Sequence, residues 1–160
     1  MKTRTKIIDV THDDLVNLLS ISLDELYVSY PKDFYQEHFD KEFGEGDSLE
    51  DKAARCLLAN QPISIYDMQS EDSDDAYGTL PHEWDEDSQC MKYTLTLQDI
   101  VKGLENAFDG TFETNEGCEE DEIFMIHRCI VDYATEDIGF DFNEGYALMQ
   151  VIVFGVIVYG

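Results

Sequence analysis

Basic residues are scarce in this chain. Ten lysines and arginines stand against 36 aspartates and glutamates in 160 residues, a formal net charge of −26. No lysine or arginine lies between Arg55 and Lys92. Without a basic stripe to hold phosphates, the chain is not expected to bind nucleic acid directly or to lie on an anionic membrane. Paired cysteines are also missing. Cys56, Cys90, Cys118 and Cys129 form no C-x-x-C pair, and a domain of this size needs no disulfide, so all four read as reduced thiols of a cytoplasmic protein. Long apolar runs are absent too. The most apolar stretch, Tyr146 to Tyr159, is interrupted by Gln150 and Gly155 and falls short of the roughly 18 residues a membrane span requires, so it reads as core. The N-terminus, Met1 to Lys6, is basic but lacks the apolar segment of a signal peptide.

Catalytic signatures are equally thin. There is no G-x-G-x-x-G and no Walker loop, and Gly44-Glu45-Gly46 puts an acid where a phosphate would sit. His82-Glu83 has no second histidine at the spacing of a zinc helix, and no G-x-S-x-G elbow occurs. A cysteine paired in space with His38 or His127 remains the enzymatic alternative. The expectation is no catalytic residue, no cofactor and no metal. Oxygen ligands for calcium abound, but no loop holds them at the required spacing. Asp72-Ser73-Asp74-Asp75-Ala76-Tyr77-Gly78 starts like an EF-hand loop and then departs from it, and Asp85-Glu86-Asp87 does no better.

What the chain does hold is enough to build a core. Hydrophobic residues make up 43% and aromatics 12%, which excludes disorder as a description of the whole. One α+β domain over residues 1–160 is predicted, a small sheet packed with four or five helices. Two segments share a plan: Ile7 to Val10 leads into Thr11-His12-Asp13-Asp14, and Tyr93 to Leu95 leads into Thr96-Leu97-Gln98-Asp99. Each places a threonine to cap a helix with an aspartate three residues on, and an apolar pair (Val10 with Leu15, Leu95 with Ile100) to staple it. The pair is either an internal duplication or, more simply, one helix start used twice. Ser48-Leu49-Glu50-Asp51 marks a third helix. Between Leu23 and Phe43 the aromatics are dense, and Tyr35, Phe39 and Phe43 share one helical face. Ile63 to Tyr66 alternates as a strand does.

Residues 67–90 read as one long acidic loop anchored between Tyr77 and Trp84. Past it, Ile123, Ile126, Ile130 and Ala134 recur near helical spacing, with a strand reading left open by Phe124, Ile126 and Ile130. Asn143 is the expected cap of a last helix, Glu144 to Phe154, ended by Gly155. The continuously apolar Val156 to Tyr159 reads as a central strand. Leu104, Ile130, Val151 and Phe154 are the predicted core.

The acids lie in separated clusters rather than in one terminal tail. Those taken as partner-facing are Asp67, Glu71, Asp72, Asp74, Asp75, Glu83, Asp85, Glu86 and Asp87, with Glu119, Glu120, Asp121 and Glu122. Duplex DNA carries one charge per ~1.7 Å, so a net charge of −26 equals that on roughly 44 Å of duplex. In charge, size and lack of catalytic motifs the chain resembles the small acidic inhibitors, anti-CRISPR and anti-restriction proteins among them, that phages and mobile elements direct against host nucleic-acid enzymes. The resemblance covers the whole chain and rests on no shared motif. It implies a stoichiometric inhibitor working in a bacterial cytoplasm, occupying the basic groove of a nuclease such as a CRISPR effector or restriction enzyme. The alternatives are an acidic adaptor for some other basic protein, an acid-rich surface that only solvates, and salt adaptation.

Overall fold

A computed structural model describes residues 10–21, 25–39, 48–109, 112–114 and 142–159. In order these form α1 (His12–Ile21), β1 (Leu26–Ser29), α2 (Lys32–His38), α3 (Leu49–Leu58), β2 (Ile63–Asp67), β3 (His82–Asp85), β4 (Cys90–Leu95), α4 (Leu97–Asp109), β5 (Glu113–Thr114), α5 (Phe142–Phe154) and β6 (Val156–Ile157). The class is α+β. Expectations resting on Ile7 to Asp9, Phe43, Cys118, Glu119 to Glu122, Ile123 to Ala134 (Cys129 and Ile130 among them) lie outside the described residues.

Local chemistry sets three of the helix starts. The Thr11 amide donates to Asp14 Oδ2 at 3.0 Å, and the Asp14 amide to Thr11 Oγ1 at 3.2 Å. The same reciprocal pair recurs between Thr96 and Asp99, at 2.9 and 3.2 Å. At α3 the Asp51 amide donates to Ser48 Oγ at 3.2 Å, and that hydroxyl donates to Asp51 Oδ2 at 2.9 Å. Each box satisfies amides that a helix start leaves without intrahelical partners.

The main sheet is antiparallel, in the order β1-β2-β4-β3. Strand alternation turns Leu26 and Val28, Ile63 and Ile65, and Met91, Tyr93 and Leu95 to one side, where all are buried. They join Leu15 and Leu19 of α1, Ala53 and Leu57 of α3, Ile100 and Leu104 of α4, and Val151 and Phe154 of α5 in one core. The expected core residues Leu104, Val151 and Phe154 are therefore in place. α4 packs along α5, and Gly103 permits the approach. A Cβ there would stand 2.7 Å from Ile152 Cα, inside any tolerable contact.

Four expectations need correction. The aromatic stretch 23–43, whose expected helical face is Tyr35, Phe39 and Phe43, also contains β1 ahead of α2, a strand too short to announce itself by periodicity. The stretch 67–90 is not one loop, because β3 pairs with β4 across a four-residue tip, residues 86–89. Among the described strands the last one is not central. β6 pairs in parallel with β5 in a separate two-stranded sheet, and the amides of Val158 and Tyr159 turn to the Gln150 side chain at 2.9 and 2.8 Å instead of to a strand. Gln150 Nε2 donates back to the Tyr159 carbonyl at 3.0 Å, so this side chain, 1% exposed, is satisfied without water. Finally, α5 already begins at Phe142, which puts Asn143 inside the first turn rather than at the cap. Gly155 does end the helix, at φ +70°. Among the described residues no helix is long and apolar enough to cross a membrane.

Candidate partner-binding surface

The acids of residues 67–87 divide into those that build the segment and those that face outward. Asp67 belongs to the first group and is removed from the partner-facing set. It sits on the inward side of β2 and is fully buried, because it follows Ile63 and Ile65 in the strand's alternation. Its Oδ2 accepts from the Tyr159 hydroxyl at 2.9 Å and its Oδ1 from the Gln69 amide at 3.1 Å. Gln69 Nε2 extends the network to Glu25 at 2.7 Å and to the Tyr146 hydroxyl at 2.9 Å. Burial pushes the Asp67 carboxyl above the usual range. The bonds from Tyr159 and Gln69 oppose this, while Asp75 and Glu25 add to it. Burial and the Asp67 charge likewise hold the Tyr159 phenol well above its ordinary value.

The segment after Asp67 is pinned. Ser70 Oγ donates to the Asp67 carbonyl at 2.6 Å and accepts from the Met91 amide at 2.8 Å. Asp75 Oδ2 accepts from the amides of Glu71 and Asp72, and Asp72 Oδ1 from that of Asp74, so these carboxylates fold their own turn. The Tyr77 amide donates to the Tyr93 hydroxyl at 3.1 Å, and the Tyr77 ring lies against Phe154 and Tyr159. Gly78 at φ +79° passes so close that a Cβ would stand 2.6 Å from the Phe154 carbonyl oxygen. At the hairpin tip Asp85 Oδ2 accepts from the Ser88 amide at 3.1 Å, and Gln89 takes the left-handed conformation. These hydrogen bonds and ring contacts give the segment a defined backbone path.

Asp75 and Asp85 are half-buried turn formers, leaving Glu71, Asp72, Asp74, Glu83, Glu86 and Asp87 exposed. None of these six is ion-paired with a lysine or arginine of the described residues. They occupy two neighbouring pieces, the 71–75 turn and the β3–β4 hairpin.

Other chemistry finds little support in the described residues. No group of three His, Cys, Asp or Glu side chains is placed to hold a metal ion. Burial pushes the Cys56 thiol up to about 11, and burial with Asp85 and Asp67 raises that of Cys90, so both are poor nucleophiles near neutrality. A cleft of about 190 Å³ lies between Gly78–Leu80, the Asp99–Asn106 face of α4 and the end of α5. That is below the ~300 Å³ at which small-molecule sites usually begin. Comparisons with protein families, with characterised proteins and with solved structures found no match.

The buried carboxylate makes stability depend on pH with a definite sign. Asp67 binds its proton more tightly folded than unfolded. Its contribution is therefore fully present below the unfolded value and is lost as pH rises through the folded one. Asp51 has the opposite sign. The His12 hydrogen bond, at 3.0 Å, holds its carboxyl below the ordinary value, and its small contribution is lost only at lower pH. This term should thus strengthen folding as pH falls from neutrality through the raised folded value of Asp67. Asp67→Asn should melt above the wild type at pH 7, because an amide can still accept from Gln69 and donate to Tyr159. The gap should close toward pH 4. A gap that stays constant across a pH series of thermal melts would mean Asp67 is not the group titrating.

Proposed function

We propose that this protein is a stoichiometric inhibitor that occupies the basic nucleic-acid-binding groove of a protein partner, a host nuclease being the favoured class. The observation that carries this reading is the exposure of Glu71, Asp72, Asp74, Glu83, Glu86 and Asp87, none ion-paired with a described lysine or arginine, on a hydrogen-bonded scaffold. Surface carboxylates that merely solvate need no fixed backbone. Carboxylates that imitate phosphates do, because each must meet a cation that is already positioned. The pinned segment also lowers the ordering cost that a mobile loop would add on binding. A partner whose lysines and arginines fit phosphates would release the same counterions to this surface as to a duplex. The long-range field of a chain at −26 would speed their encounter.

The test uses the immobilised chain and a nuclease-treated bacterial lysate. The retained proteins should be nucleic-acid enzymes. They should elute as salt rises from about 50 to 200 mM, and excess duplex DNA should displace them. Retention that is flat in salt, or that persists in excess duplex, would refute phosphate mimicry.

A further inference from the structure

The side of the sheet turned away from the core carries a cross-strand ladder. Tyr27 of β1 stands opposite Tyr66 of β2, Tyr66 opposite Lys92 of β4, and Lys92 opposite Glu83 of β3. Facing positions in an antiparallel sheet share a side, so the four form one row across all four strands. The rings of Tyr27 and Tyr66 are 6.3 Å apart between centroids. Lys92 Nζ stands 5.9 Å from the centre of the Tyr66 ring, so one rung already holds a cation against an aromatic. Tyr27, at the end of the row, is 47% exposed and has no cation over it among the described residues. On one side of the row lie small polar side chains, Ser29, Ser64 and Thr94, and on the other lie half-exposed Met68 and the Asp85 carboxylate.

We propose, resting on the inhibitor reading above, that this face is where an arginine-bearing segment of the basic partner docks. Its guanidinium planes stack on Tyr27 and Tyr66, while Glu83 and the neighbouring hairpin acids take up its charge. Charge decides the occupant. A nucleic acid, an anionic membrane or a second copy at −26 would each bring like charge to the acids beside the ladder. A basic protein brings the opposite one. Arginine is favoured over lysine because a planar, weakly hydrated guanidinium stacks on an aromatic face while still donating sideways to carboxylates. Under this arrangement the outward acids supply attraction at a distance, and the two rings supply contact energy at the centre of the interface, where tyrosine and arginine anchors concentrate binding.

The alternative role of a tyrosine pair on a sheet is to steady the strands, and the experiment separates the two. The probes are a ten-residue arginine peptide and a ten-residue lysine peptide, titrated at low salt into the full chain, the double variant Y27L/Y66L, and a variant with the outward acids reversed. Leucine keeps apolar cross-strand packing and removes the π face. The wild type should bind the arginine peptide roughly fivefold tighter than the lysine peptide. The double variant should bind both with about equal affinity, and its melting temperature gives the purely structural effect separately. The acid-reversed variant should lose both peptides. Equal affinities in the wild type, or an arginine preference that survives Y27L/Y66L, would overturn docking at this face and leave the acidic surface as the whole interface. Failure of the wild type to bind either peptide would overturn the inhibitor reading, and this inference with it.

Discussion

Phe154→Ala should cost about 3–5 kcal/mol of folding stability. Phe154 closes α5 and is almost fully buried. Its ring lies 5.3 Å from that of Tyr93 in the main sheet, 5.6 Å from Tyr77 in the acidic segment and 6.2 Å from Tyr159 near the last strand. Three parts of the chain with no local connection therefore meet on one side chain. Edge-on and tilted ring contacts of this kind add about 0.5–1.5 kcal/mol each beyond burial. The cavity left by truncation has little room to collapse, because Gly78 already touches the Phe154 backbone. Leu58, which is 40% exposed, supplies the control, and Leu58→Ala should stay within about 0.5 kcal/mol of the wild type. Urea melts of the two variants make the comparison. A loss below about 1 kcal/mol for Phe154→Ala would mean that the acidic segment is not anchored through this residue.

The second large effect belongs to binding. Reversing Glu71, Asp74, Glu83, Glu86 and Asp87 to lysine changes the charge by two at each position and takes the chain from −26 to −16. Affinity for a partner recovered from lysate should fall at least a hundredfold at low salt, and the salt slope should flatten in step. The melting temperature should hold or rise, since reversing exposed acids on an over-charged surface relieves repulsion. Reversing Asp75 and Asp85 should do the opposite. Those carboxylates accept backbone amides in the 71–75 turn and at the hairpin tip, so stability should drop while most of the outward charge stays. Titration calorimetry of both variants across a salt series, with thermal melts alongside, separates charge from scaffold. Undiminished affinity in the five-residue variant would remove these acids from the interface.

The helix starts at Thr11, Ser48 and Thr96 were legible because a capping box is written within four consecutive residues. A strand over Ile63 to Tyr66 and the core positions Leu104, Val151 and Phe154 were legible from apolar patterning alone. What stayed hidden depended on contacts distant in sequence. β1 and β3 span only four residues each, and β3, with His82, Glu83, Trp84 and Asp85, has one large apolar side chain to betray its inner face. Asp67 looked like the first acid of a loop because nothing local says that Tyr159, 92 positions away, donates to it. Gln150 looked like an interruption in an apolar run, whereas it is the partner the last backbone amides require. The candidate surface was half visible: its acids could be read off, but not their division into turn formers and outward groups. The Tyr27–Tyr66–Lys92–Glu83 row could not be seen before the strand register was known.

Among the described strands β3 lies at one border of the sheet, which has a consequence for handling the protein. A border strand offers unpaired backbone groups to any other strand, and ionised side chains along it keep copies apart. Here the guards are Glu83 and Asp85, with Glu86 and Asp87 at the adjoining tip. Acidification toward the isoelectric point near 4.1 brings the net charge toward zero and removes the repulsion between copies, whereas protonation of buried Asp67 favours the fold. Conformational stability and colloidal stability therefore run in opposite directions in mild acid. Precipitation near that point should therefore recruit folded molecules, with the β3 border as the route.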